Sequence, residues 1–230
     1  MTGAITSLLA TLSQESDSAG TVHEIEYIHF YELEDIAAVK GAAKFIEQEQ
    51  WHLRKPAGTV RVRKATESGL RDNTPVEGVP SYWLTSKLNL KGVVGRPEVT
   101  VEVNEDLFDH FRRIADNGWQ KLRCIFPIPG TEGTFKEPDA KFNGALCWEI
   151  DLFKDKNGQF CPWVKADLEV PALLDTLPAF PLQVKRAITE PYGKRTAEDQ
   201  ALIDELFNEK INLTWDDINE NTTAVAPPAD

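Results

Sequence analysis

The chain has 230 residues, 41% of them hydrophobic, with 6 Trp and 11 Phe, which suffices for a sizeable apolar core and argues against disorder. Its formal net charge of -12 opposes general binding to nucleic acid or to an anionic membrane, but leaves room for a local cationic site. No run of about 18 apolar residues reads as a membrane span, and residues 1–20 carry no basic stretch before an apolar core, so neither a membrane nor a secretion signal is expected.

Taken in order, residues 1–20 read as a mobile lead-in and 21–31 as the first strand. Ile36, Val39, Ala43 and Ile46 recur at helical spacing, which predicts a helix over 33–50. Pro56-Ala57-Gly58 is a turn before a strand at 59–64. Gly69, Asp72, Asn73, Pro75, Gly78 and Pro80 make 68–80 a loop. Strands follow at 82–89 and 98–103. Asn104 is placed to cap a helix over 105–117, with Gly118 just past its end and Leu107, Phe111 and Ile114 on its buried stripe. Residues 119–127 read as a strand and 130–144 as a loop.

Next come Trp148-Glu149-Ile150-Asp151-Leu152-Phe153 and Lys165-Ala166-Asp167-Leu168-Glu169-Val170, with the turn signal Asp155-Lys156-Asn157-Gly158 between them. Both halves alternate, so they predict an antiparallel hairpin with carboxylates on one side and apolar residues on the other. Three prolines make 171–181 a turn with a short helix. Thr196-Ala197-Glu198-Asp199 resembles a capping box and opens a helix to about residue 210. The boundaries expected are a lead-in over 1–20, one domain over 21–212, and a disordered tail over 213–230. Cys124, Cys147 and Cys161 form neither a disulfide framework nor a zinc pair, and His23, His29, His52 and His110 lack ligand spacing. Reduced thiols and a cytoplasmic location are expected.

The strands share one further property. They offer, in turn, Glu24 and Glu26; Arg61 and Arg63; Thr85 and Lys87; Arg96 and Glu98; Lys121 and Arg123; Glu149 and Asp151; and Lys165, Asp167 and Glu169. Each set is spaced by two and so lies on one face of its strand. Several such strands could close into a barrel whose charged faces line a lumen.

This order resembles the CYTH superfamily, the triphosphate tunnel metalloenzymes, over residues 22–192, and most specifically in the Trp-Glu-Ile-Asp-x-Phe hairpin. The resemblance implies an α+β fold, a closed antiparallel eight-stranded β-barrel forming a tunnel, with flanking helices. It implies divalent-metal-dependent hydrolysis of a triphosphate, whether inorganic, nucleotide or another organic triphosphate, with Mg2+ or Mn2+ as cofactor. Glu24, Glu26, Asp167 and Glu169 then look like metal ligands. Arg61, Arg63, Lys87, Arg96, Lys121, Arg123 and Lys165 look like substrate-binding residues, and Glu149 and Asp151 like the catalytic carboxylates that support the cations or orient water.

Three places depart from the family pattern: Ile28 stands where a phosphate-contacting lysine is expected, Thr100 where a glutamate is, and Ala187-Ile188-Thr189 where Glu-Val-Thr is. The departures bear on catalysis more than on the fold. The alternatives kept open are a nucleotide- or polyphosphate-binding protein that does not hydrolyse its ligand, acting as a sink or sensor, and a class-IV-like adenylyl cyclase in which a ribose hydroxyl attacks instead of water. The partner expected in each case is a small-molecule triphosphate or nucleotide.

Overall fold

The computed structural model of the protein describes residues 25–55, 58–71, 74–88, 98–136, 141–188, 196–214 and 217. The lead-in over 1–20, the tail from 218, Glu24 and Arg96 lie outside the described residues.

The strands are β1 (Ile25–Leu33), β2 (Lys44–Lys55), β3 (Gly58–Arg71), β4 (Thr74–Glu77), β5 (Ser81–Leu88), β6 (Glu98–Val103), β7 (Asn117–Pro127), β8 (Cys147–Lys154), β9 (Phe160–Val170) and β10 (Val184–Ala187). They form one antiparallel sheet in the order β10-β1-β9-β8-β7-β2-β3-β5-β6, with β4 pairing β3 off that path. Among the described residues the α-helices are α1 (Glu105–Ile114) and α2 (Ala197–Glu205), and α2 runs on into a π-helical turn, Leu206–Ile211. The fold is therefore α+β, with a sheet of ten strands where eight were expected. Among the described residues no pairing joins β10 to β6, so the sheet has two edges. No helix among them is long and apolar enough to cross a membrane.

The alternating hairpin forms as its sequence predicts. Asp151 pairs with Lys165 and Glu149 with Asp167 across β8 and β9. The turn is held by Gly158 N–H donating to the Asp155 carbonyl at 2.9 Å and by Asn157 N–H donating to Asp155 Oδ1 at 2.9 Å. Gly158 takes φ 76°, which a residue with a Cβ adopts only under strain. Asn104 caps α1 through Leu107 N–H at 2.9 Å, and Thr196 with Asp199 closes a capping box on α2.

Other expectations are corrected. The helix over 33–50 is instead a short 3-10 helix, Ile36–Gly41, followed by β2. In β2 both faces carry polar residues, with Gln48, Gln50 and His52 on one and Glu47 and Glu49 on the other, so apolar spacing misreported the period. The loop over 68–80 is a β3–β4 hairpin, because the strand runs on past Ser68. Gly118 does not follow α1; it lies in β7. No helix forms at 171–181, where β10 follows the turns instead. Leu213, assigned to the tail, is buried and pairs with Gly118 through two backbone hydrogen bonds of 2.9 and 2.8 Å.

The apolar face of the sheet is covered in two places. Trp148, Ile150, Leu152, Val164, Ala166, Leu168 and Val170 pack under Val39, Leu146 and the segment carrying Leu174, Leu177 and Phe180. Trp51, Val62 and Leu84 pack under Phe108 and Phe111 of α1. A third cluster lies on the opposite, charged face, where Ile28, Phe30 and Trp163 meet Ile203, Leu206 and Phe207. One end of that face is thus apolar and capped by the C-terminal helices.

Gly118 packs closely against Trp51 on the neighbouring β2. A Cβ there would lie 2.5 Å from the Trp51 ring, and Trp51 is fully buried. Gly118→Ala is expected to cost about 1–3 kcal/mol, the range for overpacking a core. Urea denaturation at constant m-value checks this.

Candidate functional site

The strand registers put the charged residues on one face. Arg61 lies across from Thr85, Arg63 from Trp83, and Lys87 from Glu98. Arg123 lies across from Asp151, Glu149 from Asp167, and Glu26 from Glu169. Cross-strand partners point to the same side of a sheet, so every described residue singled out from the sequence shares this face.

The face is concave. On a flat sheet the five strand steps from β3 to β1 would separate Arg61 and Glu26 by about 24 Å, beyond the ~10 Å reach of screened charges. Yet Arg61 lies within electrostatic reach of Glu26, Asp151 and Arg123 as well as Glu98. The sheet curls enough to bring the charges of β3 and β1 within electrostatic reach of each other.

The charges are not equivalent. Asp151 is fully buried and takes two bonds from Arg123, at 2.7 and 2.9 Å, and one from Lys121 at 2.5 Å. Arg123 also bonds Glu149 and lies 3.6 Å from Asp167. Lys165 bonds Asp167 and lies 3.8 Å from Glu26. Across the hollow, Glu98 takes a bond from Lys87 at 2.5 Å and lies 3.8 Å from Arg61, which also donates to Thr85 at 3.3 Å.

Arg63 differs from all of these. It makes no ion pair with the described residues, and its Nε is buried without a hydrogen-bond partner. Burial and the nearby Arg61 and Arg123 cations push its guanidinium down to about 10, so it stays charged at neutral pH.

Burial by itself would raise the Asp151 carboxyl; Arg123 and Lys121 override it and hold Asp151 well below the usual carboxylate range. Burial and Arg123 push the Lys121 ammonium down to about 7, against the pull of Asp151. Lys121 is committed to Asp151 and buried, so it acts as support within the wall.

Mg2+ and Mn2+ take hard oxygen ligands, and Glu26, Asp167 and Glu169 are of that kind. Asp167 Oδ1 is buried without a partner. However, the described residues hold no group of three His, Cys, Asp or Glu side chains able to hold a metal ion. The Lys165 ammonium also lies where a cation shared by Asp167 and Glu26 would sit. As they stand, these residues do not fit a divalent ion between them.

Sequence reasoning missed several residues of this face. Gln48, Gln50 and His52 are buried on it between β7 and β3 and form a polar floor, with Gln50 donating to Gln48 at 2.9 Å. Their spacing by two was the available signal, and the helical reading of 33–50 hid it. Ile28 does point inward, opposite Asp167, and joins the apolar cluster under α2.

No protein-family model matches the chain, and no curated protein matches its sequence.

The buried network makes two predictions. Asp151→Ala strands Lys121 and is expected to cost about 3–5 kcal/mol in chemical denaturation. Lys121 titrates near 10.5 in the unfolded chain and about 7 in the fold. Between those values the unfolded state binds more protons, so raising pH favours folding. From pH 7 to 9 the stability of the wild type should rise relative to Lys121→Met, whereas a constant difference would show that Lys121 does not titrate there.

Proposed function

We propose that the protein binds a triphosphate, inorganic or carried by a nucleotide or another small organic molecule, in a tunnel walled by the curled sheet. It holds this ligand more readily than it hydrolyses it, as a sink or sensor does. The observation that carries the reading is Arg63, a half-buried cation without a carboxylate partner among the described residues, set near Arg61 and Arg123. Glu149 and Glu98 act on it only at longer range, and a bound polyanion supplies close acceptors, through charge-assisted bonds that a guanidinium makes well with phosphate. Arg61 and Lys87 share Glu98 and are placed to add contacts. Glu149 and Asp151, the carboxylates suited to orienting water, are both tied to Arg123, which favours holding over turnover.

A second reading, metal-dependent hydrolysis, is favoured by the unpartnered buried Oδ1 of Asp167 beside the Glu26–Glu169 pair. In it Glu24, Glu26, Asp167 and Glu169 would hold Mg2+ or Mn2+, which would supply charge neutralisation, although as they stand they leave no place for it between Asp167 and Glu26. Glu149 or Asp151 would orient the attacking water, and Lys165 would first have to leave Asp167.

Incubation with tripolyphosphate, ATP and thiamine triphosphate, with Mg2+ or Mn2+, separates the readings. Binding without product supports the first, released phosphate the second, and a cyclic nucleotide a class-IV-like cyclase. Arg63→Ala is expected to weaken tripolyphosphate binding by about 10- to 150-fold, the equivalent of one charge-assisted bond of about 1.5–3 kcal/mol. Its folding stability should stay close to that of the wild type, because no ion pair with a described residue is lost. Calorimetric titration beside denaturation checks both, and unchanged affinity would remove Arg63 from the site.

A further inference from the structure

The acidic end of the charged face carries its own cation. Glu26 and Glu169 face each other across β1 and β9, and Asp167 and Lys165 follow on β9 opposite Ile28 and Phe30. The inward position on β1 next to Glu26 is thus taken by Ile28, which offers no charge and packs with Phe30, Trp163 and Ile203. The ammonium comes from the neighbouring strand. Lys165 Nζ bonds Asp167 Oδ2 and lies 3.8 Å from Glu26 Oε1. Arg123 approaches the same Asp167 oxygen at 3.6 Å.

Resting on the triphosphate reading, we infer that Lys165 replaces a divalent cation at this acidic cluster, so that the protein binds its triphosphate without metal.

The physical reasons are charge and place. A lysine ammonium is a compact point charge with three donors, and it can bridge two carboxylates while offering a donor to a phosphate oxygen. A divalent ion entering between Asp167 and Glu26 would meet that ammonium at contact distance and be repelled by it. It would also have to draw Asp167 away from Lys165 and Arg123. The apolar packing around Ile28 leaves β1 no charged group to take over when Lys165 moves. Lys165 therefore offsets, together with Arg123, the acids that would otherwise repel a polyanion.

The test uses the full-length chain and calorimetric titration of tripolyphosphate, in EDTA and in Mg2+, together with titration of Mn2+ alone. The variants are Lys165→Met, which removes the charge at similar length, and Lys165→Arg, which keeps it. The wild type is expected to bind tripolyphosphate in EDTA about as tightly as in Mg2+, and to bind Mn2+ weakly. Lys165→Met should lose about tenfold or more in EDTA, as for one charged hydrogen bond, and should bind Mn2+ at least about tenfold more tightly, because an uncompensated acidic cluster favours a cation. Lys165→Arg should follow the wild type in both titrations.

Wild-type binding that appears only with Mg2+ or Mn2+ overturns the inference. Mn2+ binding that Lys165→Met leaves unchanged overturns it too. A wild type that binds no tripolyphosphate under any condition removes the triphosphate reading instead, and the Mn2+ comparison then still decides what Lys165 does. If Lys165→Met does not fold, the wild type decides alone: equal affinity in EDTA and in Mg2+ supports the inference, and affinity lost in EDTA overturns it.

Discussion

The fully buried Asp151 carboxylate is held by three bonds, two from Arg123 and one from Lys121. A charge in that position is stable only with its partners in place, because the interior returns little of the solvation that water would give it. The partners stand on β7, directly beside β8, so the network and the register of those strands specify each other. A slip of one residue would turn Asp151 into the apolar cluster of Ile150 and Leu152 and bring those two residues among the charges. Arg123 extends the constraint to Glu149 on β8 and Asp167 on β9. The acidic half of the hollow is thus arranged around one guanidinium.

The same network explains why the two halves of the face differ. On β7, β8 and β9 cations and carboxylates pair with each other, with Asp167 Oδ1 left over. On β3 they do not, since Arg63 has no such partner among the described residues and Arg61 shares Glu98 with Lys87. Between the halves lie Gln48 and Gln50, uncharged and bonded to each other. A net charge of -12 therefore coexists with a cationic strip, because like charges are grouped by strand and the curl of the sheet gathers them. The apolar cap formed by Ile203, Leu206 and Phe207 closes one end of this face, where Phe207 meets Phe30, Trp119 and Phe153 at ring-centroid distances of 6.2, 5.5 and 5.0 Å.

How much of this was legible in the residues varied with the kind of signal. Where one face was apolar and the other charged, as in β8 and β9, the period of two was plain, and with it the shared face of Glu149, Asp151, Asp167 and Glu169. Local capping chemistry at Asn104 and at Thr196 and Asp199 was equally plain, because it depends on a few adjacent side chains. In β2 the inward face mixes Lys44, Ile46, Gln48 and Gln50 while the outward face mixes Phe45, Glu47, Glu49 and Trp51, so no period of two shows in hydrophobicity. Ile36 and Val39 belong to a 3-10 turn and Ile46 to a strand, and their spacing imitated one helix. The β3–β4 hairpin was hidden by Gly69 and Pro75, which lie in its strands but also suit a loop.

The sequence by itself determined which residues share a strand face in β8 and β9, since side-chain alternation is a local property of extended backbone, and it determined where α1 and α2 begin, since caps are local too. Tertiary structure decided which faces meet. Whether Arg61 lies near Glu26 depends on how far the sheet curls, and whether Lys121 is free or bound depends on the register of β7 against β8. That Lys165 reaches Asp167 and Glu26 while Ile28 turns into the apolar cap likewise follows from the pairing of β1 with β9. These are contacts between residues distant in the chain, set by packing and charge compensation summed over the fold, and no short stretch of residues contains that sum.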